Sequence, residues 1–163
     1  MPTRDGIIIL VSELEQDVVI LDALVQQNTQ AINRVTAGAT DNLDYAALGY
    51  TIHNLYSLIE NYALRIAKTF ENRLDERTWH SDLVRRMTLE IPTIRPALWE
   101  RPLSRHIDEL RRFRHAFRHI YDSNLDPEKL MIVQKHVGPA MSGFKASHSA
   151  FLEKLNTLAE HLD

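Results

Sequence analysis

IIILVSELEQDVVILDALVQQNTQAINRV, residues 7–35, decides the fold. Ile7, Val11, Leu14, Val18, Leu21, Val25, Asn28, Ile32 and Val35 recur at alternating spacings of four and three. That is a single helical stripe sustained over about four heptads. The opening run from Ile7 to Val11 alone would suit a strand, but the continued spacing decides for a helix. Gly38 lies just past the last stripe residue and suits the helix end.

Outward from this stretch the same period returns. Asp41 or Asn42 can cap a second helix with the stripe Leu48, Ile52, Leu55, Ile59, Tyr62, Ile66 and Phe70. Residues 73–100 are less regular. Trp79–Leu89 reads as a short helix with Thr78 as its cap, and Pro92 and Pro96 break the helical pattern beyond it. A further helix covers Leu103–Tyr121 and buries Leu103, Ile107, Leu110, Phe113, Phe117 and Ile120. The last begins at Asp126-Pro127-Glu128, a cap, a proline at the first helical position and an acid in the first turn. Its stripe runs from Leu130 through Val137, Phe144 and Phe151 to Leu162, with a kink expected at Pro139. No segment alternates with period two. The expected architecture is all-α, an antiparallel up-and-down bundle of four long helices and one short one, forming one domain over residues 1–163.

Composition narrows the chemistry. With 163 residues, 44% of them hydrophobic, the chain can bury a real core. Having no cysteine, it has no disulfide framework, thiolate metal site or thiol nucleophile. The longest apolar run is the five residues Ile7–Val11, against about 20 for a membrane span, so a cytoplasmic protein is expected. A net charge of −3 argues against a protein that coats nucleic acid generally, though not against a local basic site.

Such a site is visible. Residues 101–121 hold six arginines against Asp108 and Glu109, a balance of +4, so the rest of the chain carries −7. Residues 111–119 read Arg-Arg-Phe-Arg-His-Ala-Phe-Arg-His, with no acid among them. The arginines lack acidic neighbours at helical spacing: Arg114 sees Leu110 and Arg118, and Arg118 sees Arg114 and Asp122. Like charges so placed cost a few tenths of a kcal/mol, which an anionic ligand would offset.

Arg114-His115-Ala116-Phe117-Arg118-His119-Ile120-Tyr121 fits the Arg-x4-His-x-Tyr signature of the HepT-like branch of the HEPN ribonucleases, with His115 as the polar residue after the arginine. His53-Asn54-Leu55-Tyr56-Ser57 through Glu60, the pair Trp79-His80, and Asp108-Glu109-Leu110-Arg111-Arg112-Phe113 also resemble the larger HepT-like proteins. The resemblance spans roughly residues 50–129; the first helix and the C-terminal half of the last match only in being helical. It implies a homodimer with two motif copies across a cleft and metal-free cleavage of RNA. It also implies a toxin role, with a small nucleotidyltransferase as antitoxin, similar to enzymes that attach AMP to the motif tyrosine, here Tyr121.

The chemistry can be argued from the residue types. Attack of a ribose 2′-hydroxyl on the adjacent phosphate needs proton transfer and stabilisation of a crowded, doubly charged centre. Histidine suits the first and arginine the second. Arg114 is the residue expected to hold the phosphate and His119 the one to move the proton. Arg111, His115 and Arg118 would guide the RNA. On an ideal helix Arg114 and His119 differ by about 140° and roughly 7.5 Å along the axis. Either the helix loosens after Phe117 or a second subunit completes the site; the dimer is the preferred route.

His53, Ser57 and Glu60 share one face of the second helix and are expected to back Arg114, with Glu60 paired to an arginine of the basic helix. His148 on an apolar stripe reads as a satisfied core residue, Asn28 as a setter of packing register, and Trp79-His80 as a structural plug. No cofactor and no metal are expected. His115 and His119 are four apart, but flanking arginines would repel a cation. The alternative is a non-catalytic interaction module or antitoxin that binds a nucleotidyltransferase partner.

Overall fold

The structure, a computed structural model, describes residues 2–71, 79–120 and 125–162. Among these residues five helices follow in order: α1 (Arg4–Thr36), α2 (Asn42–Phe70), α3 (Trp79–Arg86), α4 (Arg101–Arg118) and α5 (Pro127–Glu160). Among the described residues there is no strand, only one isolated bridge between Ile91 and Arg95. Among the described residues no helix is long and apolar enough to cross a membrane. The all-α reading therefore holds.

Local chemistry sets the helix ends. Thr3 caps α1, its hydroxyl accepting from the Gly6 N–H. Beyond Ala37 the chain turns at Gly38 with φ +104, where a side chain would be strained. Of the two candidate caps of α2 it is Asp41 that acts, accepting from the Asp44 N–H at 3.0 Å. Hydrogen bonds from Asp44 hold its carboxyl below the usual carboxylate range. Asp126 accepts from the Glu128 and Lys129 N–H groups, and Pro127 opens α5. The proline expected to kink α5, Pro139, lies inside a helix that runs unbroken from 127 to 160. The cap expected at Thr78 and the pair Trp79-His80 lie at the edge of the description: Thr78 is outside it, and the pair opens α3 without its side chains being described.

Around the core the helices form a closed ring, α1 on α2, α2 on α4, α4 on α5 and α5 on α1. On α1 the central line Ile7, Leu14, Leu21, Asn28 and Val35 is buried, while Val11, Val18, Val25 and Ile32 flank it half-buried. The expected α2 stripe is buried throughout, and so are Gly49, Thr51, Tyr56 and Glu60, because α2 is covered on two sides. Asn28 sits where three helices meet. Its Nδ2 donates to Thr51 Oγ1 and to Gln134 Oε1, both at 2.9 Å, and its Oδ1 accepts from Gln134 Nε2 at 2.8 Å. Asp17, which the hydrophobic pattern gives no reason to place inside, is buried and accepts from Arg65 Nε at 3.1 Å. Burial raises its carboxyl above the ordinary value, with Arg65 opposing.

His148 is half-buried and hydrogen-bonded to the Tyr62 hydroxyl at 2.8 Å through Nδ1, with Tyr62 packed edge-on against Phe144. Burial pushes the His148 imidazole below its ordinary value, against a smaller pull from Glu15. The unfolded chain therefore binds this proton more tightly than the folded one. The contribution is fully present above the unfolded histidine value near 6.5 and is lost as pH falls through the depressed folded value. Urea unfolding between about pH 7.5 and about pH 5 should show the wild type losing more stability than His148→Gln. Equal pH slopes for the two would refute the assignment.

One end of the bundle is closed by α3 and the proline segment after it. Arg95 is 2% exposed. Its Nε and Nη2 donate to Glu71 Oε1 at 3.1 and 3.0 Å, and its other protons reach the carbonyls of Pro96, Arg86 and Leu89. Arg86 pairs with the second oxygen of Glu71. Trp99 is buried beside this knot and donates to the Val84 carbonyl at 3.1 Å. The two prolines do break the helix, and a buried arginine organises the turn between them.

Candidate active site

The first half of α4 is anchored in the core by Leu103, Ile107 and Leu110. Its second half leans on α2. Phe113 stacks on Phe117 at 5.6 Å between ring centroids, and Phe117 lies 5.8 Å from the His53 ring. The approach is close because residue 49 is glycine: a Cβ there would stand 2.9 Å from Phe117 Cε2. Phe117 and Ile120, expected on the buried side, are only half-buried. The helix ends earlier than its apolar pattern suggests, at Arg118 rather than Tyr121.

This docking sets Arg114 across α2. Its Nε donates to Ser57 Oγ at 3.0 Å, and its Nη1 lies 3.5 Å from Glu60 Oε1. Ser57 in turn donates to the His53 carbonyl at 2.9 Å, which fixes its hydroxyl so that a lone pair faces the guanidinium. The guanidinium carbon stands 5.8 Å from the centre of the Tyr56 ring, within cation–π range. Glu60 is buried and the Arg114 side chain is 19% exposed, so the pair is only partly screened. The arginine that meets Glu60 is thus Arg114. The sequence pattern gives Tyr56 no role of its own, yet it floors the site. Burial above all, then the charge of Glu60, pushes its phenol well above the ordinary range, so it stays neutral.

His115, Arg118 and His119 are exposed at the end of α4. The two imidazoles meet edge to face with centroids 4.9 Å apart. His119 is the residue at which the helix stops, its N–H turned back onto the carbonyls of Ala116 and Phe117. Cations in this last turn face the negative end of the helix dipole. Among the described residues no hydrogen bond joins Arg114 to His119: one is held against α2, the other faces outward. Tyr121 lies outside the described residues.

Arg111 departs from the expectation that the basic run lacks acidic neighbours. Asp108 stands three positions before it and accepts from its Nε at 2.7 Å. The other Asp108 oxygen takes Arg112 at 3.1 Å, with Glu109 at 3.8 Å. Arg114 remains the arginine of residues 111–119 with no acid three or four positions away in the sequence; its carboxylate, Glu60, comes from α2. Among the described residues no three metal-ligating side chains come together.

Comparison with known proteins gives this arrangement a family. One family profile, described as HepT-like protein, matches residues 47–155, about two-thirds of the chain. It runs from α2 through the basic helix and takes in most of α5, further than the roughly 50–129 that the motifs themselves carry. α5 as far as residue 155 is therefore within the family match rather than merely helical, while α1 and the last turn of α5 lie outside it. No curated protein and no solved structure matches the chain. Membership brings a toxin-type function and toxin–antitoxin partnering at the level of the family. The chain belongs to the HepT-like family of the HEPN superfamily.

Proposed function

We propose that this protein is the toxin of a toxin–antitoxin pair and acts as a metal-independent endoribonuclease, a homodimer that cuts RNA by attack of a 2′-hydroxyl on the neighbouring phosphate. The observation that carries the reading is the fixed guanidinium. Arg114 is oriented by Ser57 and Glu60 over Tyr56, at the helix end where His115 and His119 stand exposed. A guanidinium locked before substrate arrives needs no reorganisation when charge develops on the phosphate. His119 transfers the proton, and His115, Arg111 and Arg118 guide the RNA backbone. His53, Ser57 and Glu60 act through Arg114 by positioning it. Because Arg114 and His119 face different ways on one chain, the working site takes its arginine from one protomer and its histidine from the other.

The antitoxin of this reading is a small nucleotidyltransferase that attaches AMP to Tyr121. A bulky anion there would fill the cleft and offset its positive charge. One observation favours a second reading, that of a non-catalytic module: Glu60 already neutralises part of the Arg114 charge, as in a purely structural clamp. Expression without a partner separates the two. The wild type should arrest growth and leave RNA fragments, in extracts containing EDTA as well, whereas Arg114→Ala and His119→Ala should be harmless. A harmless wild type, with purified protein leaving RNA intact, rejects the enzyme. Mass spectrometry of the protein co-expressed with a nucleotidyltransferase should find AMP on Tyr121; modification elsewhere, or none, rejects that part.

A further inference from the structure

A second strongly charged feature lies away from Arg114. A cleft of about 500 Å³ opens between α3 and the first half of α4. Arg85 lines it from α3, and Arg101, Arg105 and Arg111 line it from α4, together with Ser104 and one acid, Asp108. Four arginines and one aspartate leave +3 in a cleft of a chain whose net charge is −3. Asp108 is already taken up by Arg111 and Arg112. Arg85 meets Asp82 at 2.8 Å but stays 67% exposed. Arg101 and Arg105 are exposed and make no ion pair among the described residues. Like charges four apart on a helix repel, so Arg101 and Arg105 do not stabilise each other.

Their direction is informative. Arg101, Arg105, Arg112, His115 and His119 succeed one another at spacings of 4, 7, 3 and 4, a single line along α4 about 27 Å long. One end of the line is the cleft and the other is the pair of exposed histidines. Three arginines continued by two histidines in one line fit a ligand that presents anions at intervals, as a nucleic-acid backbone does. Arginine's fork of donors suits each phosphate. A cleft walled by two helices admits a strand edge-on better than a duplex cylinder. No aromatic side chain among the described residues lines it, so it reads phosphates and not bases.

We propose that the α3–α4 cleft is a phosphate subsite for single-stranded RNA, in which Arg101 and Arg105, with Arg85 opposite, hold the backbone several nucleotides away from the phosphate that His119 shares with the Arg114 of the other protomer. This rests on the ribonuclease reading and gives that substrate a minimum length and a fixed path along α4.

The test is binding to a chain that cannot cut. Full-length His119→Ala protein is titrated with fluorescein-labelled oligouridylates of 4 and 14 nucleotides at 50–200 mM KCl. Adding Arg101→Glu and Arg105→Glu should weaken the 14-mer at least tenfold and the 4-mer less than twofold. The salt slope on the 14-mer should fall by about 1.4, two contacts at about 0.7 each for a single strand. Arg101→Gln with Arg105→Gln should move both quantities the same way by less, which guards against a folding defect in the reversed pair. Arg4→Glu with Lys145→Glu changes net charge equally on the α1 and α5 surfaces and should leave the 14-mer within twofold. Unchanged 14-mer affinity in the Arg101/Arg105 variants, equal loss in the control, tighter binding of duplex RNA, or no binding at all overturns the proposal. Wild-type protein that fails to cleave while the length effect holds removes the ribonuclease reading and leaves the subsite standing.

Discussion

Mixed Arg114→Ala and His119→Ala proteins should regain about a quarter of wild-type ribonuclease activity, although each alone is inactive. Random exchange of protomers makes half of the dimers mixed, and each mixed dimer then carries one intact composite site of two. The separate losses should be large: about 10²–10⁴-fold for His119→Ala, which removes the proton carrier, and about 10²–10³-fold for Arg114→Ala, which removes the preset charge. Both are read as single-turnover rates on a labelled oligonucleotide. If the mixture stays as inactive as its parts, after subunit exchange is verified by mass, each site does not join the arginine of one chain to the histidine of the other.

Glu71→Ala should unfold the protein more readily than any surface change. It strands Arg95, whose side chain is 0% exposed, without its carboxylate, and it frees Arg86 at the same time. Breaking a buried pair from one side costs about 3–5 kcal/mol. In a chain of this size that lowers the melting temperature by roughly 6–20 °C. Replacing both partners, Glu71→Leu with Arg95→Met, should recover part of the loss, because the fully buried guanidinium is then gone and Arg86, 27% exposed, is the one cation left without the carboxylate. A Glu71→Ala melt within about 2 °C of wild type would show the knot to be dispensable.

Much of the fold is legible in the sequence because it is periodic. Ile7 to Val35 and Leu48 to Phe70 announce two helices by spacing alone, and Asp126-Pro127-Glu128 announces the start of a third. What stays hidden is pairing over distance. Nothing near Glu71 in the chain points to Arg95, which is 24 positions away and reaches it only once the proline segment has folded back. Tyr56 lies outside the main stripe of α2, so periodicity cannot show that a second helix covers it. The Glu60 contact is within reach of the sequence because it needs only a face and a cation; which arginine supplies it depends on Phe117 seating against Gly49. The end of α4 escapes the pattern because Phe117 and Ile120 keep the apolar rhythm going past the point where the core stops.

The Asn28 amide has a consequence for α1, the helix outside the family match. A seam that repeats every seven residues lets a helix slide by one repeat with most of its apolar contacts renewed. Asn28 occurs once in that seam, and Thr51 and Gln134 wait for it at one height only. A shift of one repeat would leave the buried Asn28 amide without Thr51 and Gln134, at about 1–3 kcal/mol for each polar group stranded. α1 is thereby held to a single vertical setting. The wall behind the rest of the bundle acts as a keyed bolt rather than a greased rod.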